Sequence, residues 1–181
     1  MAQKNKRAAI LEAAALSVEQ SGAAHLTIDA VAAAAGVSKG GVLYHFPSKQ
    51  ALLEGMLETL LDQIASRTKA YRDANSTAKN VALAARIDEQ HDQSPAQKAM
   101  GRAILAAAAE DPEMLTPARE EVRMAFKEAA AGSAKAEMGW VLLLAVEGLR
   151  FLEMLKLLPL TRVERNRLHL ELLELARLHA T

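Results

Sequence analysis

Four side chains that can donate hydrogen bonds to phosphate oxygens or to the edges of nucleic-acid bases fall within one short run, KGGVLYHFPSK: Lys39, Tyr44, His45 and Lys49. Beside them stand Gly40 and Gly41, which each cost about 1 kcal/mol relative to alanine inside a helix. Residues that weaken a helix while leaving its surface bare suit a helix that another surface approaches closely. The hydroxyls of Thr27 and Ser38 complete the candidate set. Catalytic chemistry finds less support elsewhere. Asp88, Glu89, His91 and Asp92 cluster near a helix end, but no second histidine lies at ligand spacing, and a solvated helix end is the simpler reading. His169 and His179 sit among arginine and glutamate and read as surface or interface residues. There is neither a glycine-rich phosphate loop after a strand nor a nucleophile elbow. No catalytic residue, metal site or cofactor is expected, and the chain does not read as an enzyme.

The donors must be positioned by the segment around them, LTIDAVAAAAGVSKGGVLYHFPSK, residues 26–49. Thr27 can cap a first helix, with Leu26 packing on Val31 across its start. Gly36 can end that helix in the left-handed conformation, and Ser38 can cap a second helix reaching His45. Two helices joined by so short a turn must cross steeply. Ala32, Ala33, Ala34 and Ala35 let the axes approach, and Val31, Val37, Val42 and Phe46 anchor them. This is the sequence form of a DNA-reading helix-turn-helix.

On Thr27, the AGVSKGG run at 35–41 and the YHFPSK run at 44–49, the segment resembles the DNA-binding domain of the TetR family of transcriptional regulators. Many members carry tyrosine three residues before the phenylalanine, where this chain has Leu43. The resemblance implies a homodimer on double-stranded DNA, held by the last two helices of each subunit. It also implies a small-molecule effector bound within a C-terminal helical bundle. Thr27, Ser38, Lys39, Gly40, Gly41, Tyr44, His45 and Lys49 are then the expected DNA-binding residues.

The 181 residues are 51% hydrophobic but only 3% aromatic, and their abundant alanine and leucine favour packed helices over sheet. Zero cysteines exclude disulfides and thiolate metal sites. The N-terminal stretch lacks an apolar core long enough for export, so a cytoplasmic protein is expected. Formal charge is zero, yet residues 1–50 hold five Lys and Arg against three Asp and Glu, and the remainder holds 17 against 19. The basic excess sits with the motif. It includes Lys4, Lys6 and Arg7, whose leader is more simply solvated than bound to DNA.

An all-α fold of about nine helices follows: an N-terminal three-helix DNA-binding domain at 1–50, and a helical effector-binding and dimerisation domain at 51–181. The first helix is expected from about Asn5 to Ser21. A long helix capped by Ser48 and reaching about Arg72 joins the domains, with Leu53, Leu57, Leu60 and Ile64 at helical spacing. Ser76, Ser94, Thr116, Ser133 and Thr161 are the later capping candidates. The helix expected at 134–158 is apolar, but its longest uncharged run, Met138 to Val146, is far short of a membrane span.

That helix carries an apolar stripe of Val141, Ala145, Gly148, Leu152 and Leu155. The last helix has Leu168, Leu172 and Leu175 on one flank and Leu170 and Leu173 on another, one flank for its own subunit and one for a second copy. Val141, Ala145, Gly148, Leu152, Leu168, Leu172 and Leu175 are the expected dimer interface. Ile64, Met100, Ile104, Met124, Phe126 and Trp140 supply bulk among alanines and are the candidates for lining an effector pocket. With these features the resemblance implies a ligand-responsive regulator of transcription, in the repressor mould, binding a pseudo-palindromic operator. The alternative is a helical interaction module that does not bind DNA.

Overall fold

The computed structural model describes residues 2–181; the side chains of residues 2–5, and so Lys4, and that of Ala23 lie outside the described residues. Among the described residues the chain forms nine α-helices. They are α1 (Ala2–Ser21), α2 (Ile28–Ala35), α3 (Lys39–His45), α4 (Lys49–Ala74), α5 (Val81–His91), α6 (Pro95–Ala108), α7 (Thr116–Ala131), α8 (Ala136–Met154) and α9 (Arg162–Leu178). Short 3-10 turns lie at Ala23–His25 and Pro112–Leu115. No described helix is long and apolar enough to cross a membrane.

Local capping chemistry sets most of these boundaries. Ser94 and Thr161 each form a reciprocal capping box, with Gln97 and Glu164 respectively. The Glu164 carboxyl is held below its ordinary range by the Thr161 backbone N–H and hydroxyl that donate to it. Three expected caps are corrected. Thr116 is itself the first residue of α7, with helical backbone, and its hydroxyl donates to the Glu113 carbonyl at 2.8 Å. Neither Ser76 nor Ser133 starts a helix: α5 begins after Asn80, and α8 after Lys135. Ser133 instead accepts a hydrogen bond from Asn80 Nδ2 at 3.0 Å, so a distant partner displaces the local role. The helix expected to reach residue 158 ends at Met154, because Lys156 turns left-handed (φ 58°) and the Leu157 N–H bonds back to the Leu152 carbonyl at 2.8 Å.

The chain divides into two compact units, the first comprising Met1–Leu61 with Ser94–Pro117 and the second Asp62–Gln93 with Ala118–Thr181. In the first, α1 packs against α2 and α6, and its Ile10, Leu11, Ala14 and Val18 are buried. Phe46 and Gly55 lie close together: a Cβ on Gly55 would stand 2.6 Å from the Phe46 ring, so only glycine lets α4 pass there. Arg7, read as part of a solvated leader, lies over that ring at 5.2 Å and pairs with Glu58 at 2.7 Å.

The second unit is built on α5, whose Leu83 and Ile87 meet Ala125 and Ala129 of α7, Leu142, Leu143 and Val146 of α8, and Leu172 and Ala176 of α9. A Cβ on Gly139 would lie 2.2 Å from the Ala129 carbonyl oxygen, which shows how closely α7 and α8 touch. Glu89, expected on a solvated helix end, is 1% exposed. Its carboxylate accepts from Arg150 at 2.7 Å, and Arg150 also donates to Glu147 at 2.9 Å. Burial alone would depress the Arg150 guanidinium; Glu147 and Glu89 hold it above its ordinary value. His169, expected at the surface or an interface, is largely covered, stacked on His91 with ring centroids 4.1 Å apart. No group of three or more metal-ligating carboxylates and histidines is found among the described residues.

Candidate nucleic-acid interface

Each helix of the motif begins and ends on a local interaction that its sequence dictates. Thr27 Oγ1 accepts from the Ala30 N–H at 3.1 Å and opens α2. Gly36 closes it at φ 65°, with the Val37 N–H bonded to the Ala32 carbonyl at 3.0 Å, a Schellman stop. Ser38 Oγ then accepts from the Gly41 N–H at 3.1 Å and opens α3. Leu26, Val31, Val42 and Phe46 are buried and lock the two helices to the first unit.

With that side turned inward, α3 presents Lys39, Gly40, Leu43 and Tyr44 on one open face. Tyr44 is 72% exposed and meets the half-buried His45 ring edge-on, with centroids 5.2 Å apart. A concavity of about 540 Å³ lies beside the start of α3, lined by Lys6, Ile10, Val37, Ser38, Gly41, Tyr44 and His45. Ser48 Oγ accepts from the Ala51 N–H at 3.0 Å and caps α4, so exposed Lys49 stands in that helix's first turn, where the helix's partial positive charge adds to its own. Thr27, Ser38, Lys39, Gly40, Tyr44 and Lys49 are all exposed within this one unit.

The two glycines separate in role. A Cβ on Gly41 would meet Ser38 Oγ at 3.3 Å and Val37 Cβ at 3.6 Å, so its lack of a side chain eases the turn itself. A Cβ on Gly40 would meet only Ser38 Oγ, at 4.0 Å. Among the described residues nothing accounts for glycine there, and the open side is the one facing outward. One contact escaped the sequence reading: Lys39 Nζ pairs with Asp29 Oδ2 of α2 at 3.0 Å. The ten-residue separation hides it, since the two meet only once the turn has folded the helices together.

The six residues nominated for an effector pocket are not gathered together. Met100 and Ile104 are buried on α6 in the first unit, while Ile64 and Phe126 belong to the second. Met124 and Trp140 stand largely at the surface, each 41% exposed. A further cavity, of about 470 Å³ in the first unit, contains none of them; Lys49, Gln50, Leu53, Glu110, Asp111 and Met114 are among its walls. Of the nominated dimer residues, Val141, Ala145, Gly148 and Leu152 are exposed on α8. Leu172 is 5% exposed within the core of its own unit, with Leu168 and Leu175 packed against that core. The flank of α9 left open carries Val163, Leu170 and Leu178 instead.

Comparison with known proteins matches both parts of the chain. The family described as "Bacterial regulatory proteins, tetR family" covers residues 10–56, and "Tetracyclin repressor-like, C-terminal domain" covers residues 66–177. The HTH-type transcriptional regulator RutR of Escherichia coli (strain K12) is 41% identical over 68 residues, which are 38% of this chain and 32% of RutR. The chain spans less than half the length of the curated relatives it matches. Among solved structures, a transcriptional regulator from Rhodococcus sp. Rha1 superposes with a TM-score of 0.72 at 22% identity, covering 96% of this chain and 95% of that one. The multidrug binding protein EbrR, solved in complex with imidazole, gives 0.64 at 20% identity, covering 92% and 94%.

Proposed function

The chain belongs to the TetR family of bacterial regulatory proteins, whose members are DNA-binding regulators of transcription, and from that premise we propose that it is a cytoplasmic, ligand-responsive repressor acting as a homodimer. The observation that carries the DNA-binding part is the open face of α3, where Gly40 is bare for no internal reason between Lys39 and Tyr44. Two such helices, related by twofold symmetry, enter successive major grooves about 34–36 Å apart and read a pseudo-palindrome. Lys39 approaches base edges. Thr27, Tyr44, His45 and Lys49 contact phosphates on either side. The second copy is held by α8 and by the open flank of α9.

Control comes from a small molecule bound in the second unit; the multidrug binding protein EbrR, of like fold, was solved with imidazole bound. Ile64 and Phe126 remain candidates for contact with it. Binding acts on DNA affinity only through a difference in affinity between two states of the dimer, whatever the ligand's strength.

The experiment is titration of the protein against DNA flanking its own gene across a range of salt. Selective binding that weakens steeply with salt is expected. Lys49→Ala weakens binding to all sequences alike and flattens the salt slope by about one unit. A chain that binds no DNA above random background at any salt would return it to the class of helical interaction modules.

A further inference from the structure

The ion pair between Lys39 and Asp29 has no structural task that requires it. Both side chains are mostly exposed, 59% for the lysine and 69% for the aspartate, and the crossing of α2 and α3 is already fixed by Val31, Val42 and the Gly36 turn. A carboxylate in the first turn of α2 does favour that helix's positive end. That preference does not explain why the carboxylate also reaches the first residue of the neighbouring helix, 3.0 Å from its ammonium. The consequence falls on the proposed DNA-facing surface, because the pair holds the one lysine at the entry of α3.

We infer that Asp29 is a specificity-determining residue: an internal counter-ion that withholds Lys39 from the phosphate backbone and yields it only to an acceptor good enough to replace a carboxylate. The inference rests on the proposed reading of α3 as the DNA-reading helix. A surface pair of this exposure is weak, so it can be exchanged within a binding event. A lone phosphate oxygen on random DNA offers Lys39 about what Asp29 already offers, and the lysine stays. At a matched site the remaining contacts hold the O6 and N7 acceptors of a guanine edge beside Lys39 together with the backbone phosphates, and there the lysine moves. Asp29 thereby suppresses sequence-blind binding more than it suppresses binding to the operator. It acts through Lys39 and is a positioning residue.

The test compares the full-length wild type, Asp29→Asn, Lys39→Met and the double variant on a random-sequence duplex and on a duplex selected for tight binding, over a salt series. Asparagine keeps the size of the side chain and its tolerance of a helix start. Asp29→Asn is expected to tighten binding to the random duplex by roughly fivefold and to steepen its salt slope by about 0.9 as one more phosphate is neutralised. The ratio of selected to random affinity falls accordingly. In the Lys39→Met background the same change does nothing to slope or ratio, because the lysine that it would release is absent. Asp29→Glu restores the wild-type slope. An unchanged slope on the random duplex, or an equal effect with and without Lys39, overturns the inference while leaving DNA binding intact. A wild type that selects no duplex at all strikes instead at the operator-binding proposal; the random-duplex slopes of the four proteins still decide the role of Asp29.

Discussion

Gly40 is the residue at which stability and function pull apart most clearly. Because an added Cβ meets nothing closer than Ser38 Oγ at 4.0 Å, alanine fits the folded chain without strain. Removing glycine's backbone freedom should then stabilise α3 by about 1 kcal/mol. The same methyl group projects from the open face that is proposed to meet DNA. Gly40→Ala is therefore expected to melt at a higher temperature and to bind DNA more weakly, a pairing that thermal denaturation and fluorescence anisotropy can check side by side. Binding as tight as the wild type's would remove the reason for glycine at this position. Gly41 gives no such contrast, since Ser38 and Val37 already crowd its Cβ position.

At the scale of the helix, what the sequence made legible is what neighbouring residues decide among themselves. The caps at Thr27, Ser38, Ser48, Ser94 and Thr161, and the stop at Gly36, all involve partners within a few positions, and all form as their spacing suggests. The remainder depended on partners far along the chain. Ser133 gives up a cap for Asn80, and Glu89 is buried because Arg150 reaches it across 61 positions. The open α3 face was legible because its residue types fit poorly as pure structure. Asp29's part in it was hidden by the turn between.

The pairing of α5 with α9 has a consequence for pH. Burial, and then the neighbouring His91, hold His169 below its ordinary value of 6.5; Asp88, Asp92 and the Ile87 backbone oppose them only in part. The unfolded chain thus takes up this proton at a higher pH than the folded one. The stability supplied by the neutral, stacked ring is fully present above pH 6.5 and is lost as pH falls from there through the lowered folded value. The melting temperature should drop between pH 7.5 and 5.5, and His169→Gln should flatten the decline. An identical slope in the variant would assign the acid sensitivity to other groups.

For the whole molecule, the open apolar faces of α8 and α9 bear on assembly. Val141, Leu144 and Phe151 on α8, with Val163, Leu170 and Leu178 on α9, are all largely exposed in the single chain. Apolar side chains left so exposed on two helices suit the proposed interface with a second copy. Leu170→Glu is expected to yield a folded monomer by light scattering. Leu172→Glu places its charge in the subunit's own core and should unfold the second unit, at a cost of several kcal/mol. A dimeric Leu170→Glu variant would turn that flank away from the interface.

The placement of α6 reaches into the order in which the chain is made. Its residues complete the first unit by covering the buried face of α1, although α4 and α5 intervene in the sequence. During synthesis α1 thus emerges before α6, one of the two helices it packs against, and lacks that cover until α6 has left the ribosome. A chain stalled with residues up to Leu61 outside the ribosome should be cut within α1 by a protease that spares one stalled with residues up to Pro117 outside it. The motif proposed to read DNA is thus translated before part of its supporting layer, which is finished only after a quite different stretch of message has been read.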